Sequence, residues 1–459
     1  ICDGSDGVNI TQNGVIENIK KYKISFNILN YVSGFLNGRI GSANSNDFTV
    51  SSDGNYSFNI TSDGTNFIFR SSSFNGSITN ISILEITNDT NLPRIDYTGG
   101  VGHWLFEPQS TNLITQSEAF DNAYYAKIRS TISTDQIVSP DGTQNADKFI
   151  EDSALGTKLL WTQDEVVSIG NVITWSVFAK KGERDWVLLK DTNAGNFSGY
   201  FDLENGVVGS TTSLDSSKIE DLGSGWYRCS ITYTSTTTTA RGRLYLADAN
   251  NGESYQGNGT SGLYIWGAQL EQNSYATSYI PTEGSISTRL QDAAFGAGSS
   301  DLINSTEGVL YAEIKRAEGN LASASISLNN GTSSNGVSFY FFGANSFFAD
   351  IFSSSGTVTL NGGIVNTSNY IKVALKYKNG DSAIWINGNE VVTNSGAISL
   401  VGLNQLLFSY TNDTLPFYGS AKCVAVFKEA LNNDELECLT GEGYDSFNAL
   451  ALANNYTII

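Results

Sequence analysis

The sequence predicts an all-β protein built of three consecutive β-sandwich, or jelly-roll, domains joined by extended connectors. Short apolar runs alternate with polar residues along most of the chain, as expected of half-buried strands. Gly, Asn, Ser and Asp are frequent between these runs, where tight turns require them. The 459 residues are too many for one ordinary core, and 40% of them are hydrophobic, which excludes wholesale disorder.

Residues 1–92 predict a small N-terminal β-sandwich. Apolar side chains alternate along residues 21–86, and Asp-Gly pairs at Asp53 and Asp63 indicate hairpin turns between the later runs. Residues 93–127 then combine two prolines, a Gly-Gly pair and a run of polar residues with scattered large apolar ones. This composition predicts an extended connector whose apolar side chains anchor it against folded structure.

Residues 128–281 predict a second sandwich, residues 282–306 a second connector, and residues 307–459 a third sandwich. The strand-like runs of the second sandwich are residues 158–161, 172–180, 186–190, 198–202, 225–234, 241–247 and 262–271. Those of the third sandwich are residues 309–315, 324–328, 337–342, 347–352, 371–377, 382–386 and 405–409.

Local signals in the third sandwich indicate two hairpins and a helix. Asn-Gly pairs at Asn379 and Asn387 flank the apolar run 383–386 and predict tight turns on both sides of it. The segment 433–439 predicts one short helix, with Asn432 or Asn433 as its N-cap.

Several segments of the second sandwich and its connectors carry a resemblance. They read PRIDYTGG at 93–100, EPQSTNLITQSEAF at 107–120, SPDGTQNADKF at 139–149, TWSVFAKKGERDWV at 174–187, GWYRCSIT at 225–232 and LYIWGAQLE at 263–271. The first two resemble a connector found in tail and head fibres of tailed bacteriophages and in related bacterial surface proteins. The other four follow the order of the phage-type jelly roll that is similar to carbohydrate-binding modules, and residues 278–292 resemble its second connector.

The third sandwich resembles the laminin-G-like or concanavalin-A-like fold. The matching segments are the hairpin at 376–388 and the late segment at 425–436. Both resembled types of sandwich hold structural calcium ions with loop carboxylates and carbonyls. The resemblance therefore implies that calcium could bind an acidic loop such as 248–253, where an ordinary solvated turn is the alternative. No other cofactor is expected.

The net charge limits the partners of the chain, and its first residues bear on how it is processed. A net charge of −20 argues against nucleic acid and against an anionic membrane surface. No segment has the pattern of a signal peptide or a transmembrane span, so no membrane insertion is predicted. The chain contains no Met and begins Ile1-Cys2, so we expect a processed chain or a missing N-terminal attachment segment.

Few residue patterns favour catalysis. The single histidine, His103, argues against Ser-His-Asp, Cys-His and multi-histidine zinc sites. A carboxylate pair for glycoside cleavage stays an alternative, but many acids lie in turns. Cys229 predicts a buried free thiol, whereas Cys423 and Cys438 could pair, which the sequence leaves open. We predict a protein that is not an enzyme.

The tryptophans are the candidates for binding sugars. Rigid aromatic rings cover the flat C–H faces of sugars, and neighbouring polar groups fix the hydroxyls. The resemblance places core aromatics at Trp175, Trp226 and Trp266 and implies a structural role for them. The candidate carbohydrate-binding residues are Trp104, Trp161, Trp186 and Trp385. Burial at a domain or subunit contact is the alternative.

Three interpretations of function remain open. The first is a non-catalytic virion appendage, a fibre, spike or tail-associated protein on the particle surface. It would bind host-surface glycans, contact other virion proteins and form a homotrimer, as the resemblance implies. The second is a secreted bacterial polysaccharide-binding protein with accessory modules of a carbohydrate-active enzyme. The third is a purely structural decoration protein of a virion.

Overall fold

In the computed structural model the chain divides into two units, residues 1–91 and 92–459. The structure describes residues 2–3, 9–13, 21–40, 47–62, 64–86, 93–97, 101–319, 323–343, 345–354, 356–410 and 414–443. The predicted all-β class is confirmed. In these ranges no helix is long and apolar enough to cross a membrane.

The first unit is one sheet that folds back on itself. Its strands are β1 (Cys2–Asp3), β2 (Asn9–Asn13), β3 (Lys21–Ile40), β4 (Phe48–Val50), β5 (Gly54–Thr61) and β6 (Asn66–Ile86). β5 pairs with residues 21–28 of β3, whereas β4 pairs with residues 36–38. The rings of Phe48 and Phe58 nevertheless stack with centroids 4.4 Å apart. The two ends of β3 therefore face each other across a small aromatic core.

The structure describes one of the two predicted Asp-Gly turns of this unit. Asp53 lies in the turn before β5, and its carboxylate accepts a hydrogen bond from the backbone N–H of Tyr31 at 2.8 Å. Asp63, predicted to form a second turn, lies outside the described residues.

Three short strands follow, β7 (Arg94–Asp96), β8 (His103–Phe106) and β9 (Ser110–Asn112). The second sandwich then contains β10 (Ala126–Ile128), β11 (Ser130–Ile137), β12 (Ala146–Glu151), β13 (Leu155–Trp161), β14 (Glu165–Val166), β15 (Val172–Lys180), β16 (Trp186–Asp191), β17 (Phe197–Asp202), β18 (Val207–Thr212), β19 (Ser216–Asp221), β20 (Trp226–Thr234), β21 (Thr239–Ala240), β22 (Arg243–Ala247), β23 (Ser254–Gln256) and β24 (Gly262–Glu271).

Two sheets enclose the core of this jelly roll. We call one the front sheet, in the order β10-β13-β22-β16-β17-β18 with β23 beside β13, and the other the back sheet, in the order β11-β12-β24-β15-β20-β19. Side chains alternate between the two faces of a strand. On β16 Val187 and Leu189 enter the core, and on β15 Val177 and Ala179 do so. Their neighbours therefore form the outer face of each sheet.

The strands of the third sandwich follow β25 (Ser287–Arg289). They are β26 (Glu307–Arg316), β27 (Ser323–Asn329), β28 (Gly336–Phe342), β29 (Ser346–Ser353), β30 (Gly356–Ile364), β31 (Ile371–Lys378), β32 (Ser382–Ile386), β33 (Asn389–Asn394), β34 (Gln405–Leu407) and β35 (Gly419–Phe427). Their order is β33-β32-β31-β26-β35-β8-β7 in one sheet and β30-β29-β28-β27-β34 in the other.

The predicted helix is present as α1 (Asn433–Thr440). Asn432 is its N-cap, and the Asn432 and Glu435 side chains each accept a hydrogen bond from the other residue's backbone N–H. This capping box satisfies two donors that would otherwise lack partners. Leu436 and Leu439 of α1 pack on the outer face of the β31–β32 sheet, so the helix covers that face.

The predicted connectors lie against both sandwiches of the second unit. From the first of them, β7 and β8 extend the sheet of the third sandwich through β35. β9 pairs with β25 of the second connector. Farther along, Ile114 and Phe120 are fully buried in the jelly-roll core. The apolar side chains of this segment therefore anchor it, as its sequence predicts.

A buried ionic junction ties the two connectors together. The Arg94 guanidinium bonds Asp292 through Nε at 3.1 Å and also pairs with Glu107. The Asp292 carboxylate accepts the Glu107 backbone N–H at 2.7 Å, and Arg289 lies 3.2 Å from the Glu107 carboxylate. The Glu107 and Asp292 side chains are only 6% and 8% exposed. We call these four residues the junction.

The electrostatics of the junction explain why its members occur together. Burial disfavours the charge of Arg94, but hydrogen bonds and the charges of Asp292 and Glu107 outweigh burial and raise its pKa. Burial lowers the pKa of Arg289 despite the same carboxylates. Removing one partner from such a group leaves a buried charge uncompensated, which is strongly destabilising.

We expect Asp292→Ala to lower the free energy of unfolding of the second unit by about 3 kcal/mol, because Arg94 loses one of its two carboxylate partners and the Glu107 N–H loses its acceptor. Denaturant titration followed by tryptophan fluorescence measures this, since all seven tryptophans lie between positions 104 and 385. The control is Glu204→Ala, which breaks the pair with Lys181, both side chains about half exposed, and changes stability by less than about 1 kcal/mol. Equal effects of the two variants would contradict the role of the junction.

Candidate functional site

The outer face of the front sheet carries a cluster of aromatic side chains. Trp186 on β16 and Trp161 on β13 are half-buried and pack against Tyr200, Tyr245 and other residues of the same face. Strand alternation explains the placement, because Val187 and Leu189 point into the core and leave Trp186 outside. We call the surface formed by Trp161, Trp186, Tyr200 and Tyr245 the aromatic face.

The register of the sheet sets the spacing of the two tryptophans. Trp161 pairs with Arg243 of β22, and Trp186 pairs with Ala247 of the same strand from its other side. The two positions therefore differ by four residues along the strand direction, roughly 13 Å at about 3.3 Å per residue, and by two strands across the sheet. Tyr245 lies midway between the two pairing positions. The three side chains thus follow a diagonal line across three strands, with Tyr245, only 7% exposed, packed between the two tryptophans.

Polar groups border the aromatic face. Lys190 Nζ lies 3.2 Å from the Glu253 carboxylate and 5.7 Å from the centre of the Tyr245 ring. The Arg243 guanidinium lies 5.9 Å from the centre of the Trp161 ring. These side chains offer hydrogen-bond donors and acceptors beside flat apolar rings, the combination used to bind sugars.

Tyr200 of the face keeps its proton at neutral pH. Burial, with the charge of Glu253 and the neighbouring Tyr245, raises the pKa of Tyr200 to about 12. Its hydroxyl is therefore a neutral donor or acceptor.

One glycine allows Trp186 to lie flat against the sheet. A Cβ on Gly209 of β18 would lie 2.7 Å from Trp186 Cζ3 and 2.7 Å from Asn250 Oδ1. Asn250 in turn accepts a hydrogen bond from the Ser210 backbone N–H at 2.9 Å. Sequence reasoning missed Gly209, because its role depends on a close approach between distant strands.

The other two predicted platform residues lie elsewhere. Trp385 is 5% exposed and packs beneath α1 in the third sandwich. The prediction that it binds sugar is therefore corrected, because a covered ring cannot offer its face to a ligand. Trp104 is 39% exposed, but it lies on β8 in the sheet of the third sandwich, with its ring edge-on to Phe408 at 5.9 Å. The structure brings Trp161 and Trp186 together and leaves Trp104 apart.

The three tryptophans predicted to be structural are all buried, in two different places. Trp175 is fully buried in the jelly-roll core. Trp226 and Trp266, each 4% exposed, pack instead on the outer face of the back sheet with Phe178. The expected core position is therefore correct for Trp175 and wrong for the other two.

The histidine and the cysteines, the other residues considered for chemistry, make contacts within the fold. His103 Nε2 lies 3.4 Å from the Asp96 carboxylate, and its ring meets Tyr370 edge-on. Cys229 is a fully buried free thiol, and burial raises its pKa. Cys423 on β35 and Cys438 within α1 are also free. In the part of the chain that the structure describes, no three His, Cys, Asp or Glu residues form a group that could hold a metal ion.

Comparisons with known proteins give similarities of fold only. No family model matches the sequence, and no curated protein matches it. The CBM40 module of the Ruminococcus gnavus IT-sialidase, bound to α2,3-sialyllactose, is 23% identical over 30% of this chain and 84% of the module, with a TM-score of 0.27. Domains LG4-5 of the mouse laminin α1 chain are 8% identical over 70% of this chain and 91% of theirs, with a TM-score of 0.22.

A third solved structure is an enzyme. Glycoside hydrolase family 32 from Bifidobacterium adolescentis is 9% identical over 92% of this chain and 99% of its own, with a TM-score of 0.17. At these TM-scores the similarities support no argument about function.

We expect Gly209→Ala to turn the Trp186 ring away from β18 while the protein stays folded, because the new methyl group meets only the ends of two side chains. Near-ultraviolet circular dichroism and tryptophan fluorescence detect the change, with stability lowered by about 1 kcal/mol. The control is Gly443→Ala, where a Cβ has open space around it. An unchanged Trp186 environment in Gly209→Ala would contradict the close packing described above.

Proposed function

We propose that this chain is an extracellular, non-catalytic glycan-binding protein whose jelly roll holds an oligosaccharide on the aromatic face. The observation that supports it is the placement of Trp161 and Trp186 on one outer sheet face, half-exposed and bordered by Lys190, Arg243 and Glu253. Half-exposed rings on an otherwise polar surface retain an apolar area that a sugar can cover.

The energetics suit reversible recognition. Each ring supplies contact area with little loss of side-chain entropy, because an aromatic side chain has few rotatable bonds and these are held by the sheet. Lys190 and Glu253 neutralise each other at 3.2 Å, so a neutral glycan meets no unpaired charge from this pair. Binding by one site of this type is weak, and several copies on one particle or cell surface would strengthen it.

The kind of protein to which these modules belong stays a prediction. A secreted polysaccharide-binding protein, an accessory component beside a carbohydrate-active enzyme, uses the aromatic face in the way proposed here and needs no further assumption. A virion appendage rests on the resemblance of the connectors at 93–120 and 278–292 and of the phage-type jelly-roll segments between them. In that case host-surface glycans and other virion proteins are the partners, and a homotrimer is the expected assembly. A purely structural decoration protein would leave the aromatic face without a ligand.

A structural calcium ion also stays a prediction. The acidic loop at 248–253 contributes Asp248 and Glu253, and Glu253 already pairs with Lys190. A rise of several degrees in the melting temperature on adding millimolar calcium, reversed by chelator, would support such a site.

We expect Trp186→Ala and Trp161→Ala each to weaken glycan binding at least tenfold, because each removes a ring that covers a sugar face. The full chain is screened against xylan, β-glucan, pectin, chitin oligosaccharides and sialyllactose, and the best binder is titrated by calorimetry. Trp104→Ala is the control, since it removes a ring that is 39% exposed and lies on the third sandwich, away from the aromatic face. Loss of binding in the control, or full binding by both jelly-roll variants, would refute the assignment. Release of reducing sugar by the chain would refute the non-catalytic role.

A further inference from the structure

The back sheet carries a cleft on its outer face. Its floor consists of Phe178, Trp226, Tyr264 and Trp266, and its volume is about 670 Å³. This volume lies within the range of about 300–1,000 Å³ that is usual for small-molecule sites. The cleft lies on the sheet opposite the aromatic face, so the two surfaces are separated by the jelly-roll core.

Strand pairing builds the floor of the cleft. Phe178 of β15 pairs with Trp266 of β24, and Lys180 pairs with Tyr264 on one side and Trp226 of β20 on the other. The Phe178 and Trp266 rings meet with centroids 5.0 Å apart. Because these side chains come from three adjacent strands, they form a preformed surface and not a mobile loop.

Two loops form the walls. Trp226 Nε1 donates a hydrogen bond to the Val138 carbonyl oxygen at 3.1 Å, which fixes the loop after β11 over the floor. Asp141 in that loop accepts hydrogen bonds from the Ser139 hydroxyl and the Thr143 backbone N–H, both at 2.7 Å. The opposite wall is the turn after β19, which contributes Leu222 and Ser224.

The mouth of the cleft is apolar. Val138 is 52% exposed on one wall, and Leu222 is 45% exposed on the other. Large apolar side chains that flank an aromatic floor lose solvent-exposed area when an apolar group enters between them. A ligand for this cleft therefore carries a compact apolar substituent, since the rings of the floor are too deeply recessed to stack on a flat sugar face.

Two hydrogen-bond donors beside this apolar surface, on Lys180 and Trp266, have fewer acceptors than they could use. Lys180 Nζ bonds the Ser224 carbonyl oxygen at 2.6 Å, and an ammonium group has three donors. Trp266 is 4% exposed, and among the described residues its Nε1 has no acceptor. The Trp266 Nε1 atom is closed off from solvent, whereas Lys180 lines the cleft, so a ligand that brings a carbonyl oxygen close to the Lys180 ammonium group would give it a further acceptor.

We propose that the cleft is a second saccharide site, selective for an acetamido sugar. The methyl group of the N-acetyl substituent enters between Val138 and Leu222 onto the aromatic floor. Its carbonyl oxygen accepts from the Lys180 ammonium group, and a sugar hydroxyl meets Ser224 at the wall. A hexose without this substituent has neither the apolar group nor the amide carbonyl. The site does not depend on the aromatic face.

The test observes the indole N–H groups directly. The full chain is labelled with ¹⁵N-tryptophan, and the Nε1–H resonances are assigned with single Trp→Phe variants. N-acetylglucosamine and glucose are then added in separate titrations, since they differ only at the carbon that bears the acetamido group. We expect N-acetylglucosamine to move the resonances of Trp226 and Trp266 saturably, with an apparent affinity at least tenfold above that for glucose, while that of Trp186 stays in place.

A variant that places a charge at the mouth of the cleft, paired with a control charge elsewhere, tests the site. Leu222→Asp should abolish the response of Trp226 and Trp266, whereas Leu155→Asp, at a residue 67% exposed and outside the cleft, should preserve it. An equal response to glucose would overturn the selectivity. No response of Trp226 and Trp266 to N-acetylglucosamine, or an unchanged response in Leu222→Asp, would overturn the site. Loss of oligosaccharide binding in Trp186→Ala concerns the aromatic face alone, so the two proposals fail separately.

Discussion

The ionic junction of Arg94, Glu107, Arg289 and Asp292 is the constraint on which the arrangement of the second unit depends. It links the chain segment that enters the jelly roll to the segment that leaves it, across 198 positions of sequence. Next to it, Glu271 is fully buried and accepts hydrogen bonds from Ser110, Thr277 and other neighbours. Because the buried carboxylates of Glu107, Glu271 and Asp292 are paired with these neighbours, their burial favours one register of the connectors.

The same constraint accounts for the open faces of the jelly roll. Both ends of the domain are held by the connectors, so neither outer sheet face is needed to attach it to the rest of the chain. The third sandwich differs, because α1 covers the outer face where Trp385 lies. The front sheet thus retains half-exposed rings, and the back sheet retains a cleft.

Strand alternation allowed much of this fold to be predicted from sequence. The run 186–190 places Trp186 and Lys190 on one face and Val187 on the other, as the structure shows. That Trp161 shares this face could not be predicted, because the neighbourhood depends on β22, more than 80 residues later in the sequence. For Trp385, in contrast, the sequence pattern predicted an exposed ring and the structure covers it. Its run has a similar pattern, but a helix 50 residues later covers it. Gly209 likewise has a role only in the folded sheet.

Hydrogen–deuterium exchange of the full chain, with and without the best-binding oligosaccharide, tests most directly which surface holds the glycan. We expect slower exchange in the front-sheet segments 157–161, 186–190 and 243–247, with no change in the third sandwich. Protection confined to the third sandwich, or to unit 1, would contradict the claim that the jelly roll's aromatic face holds the glycan.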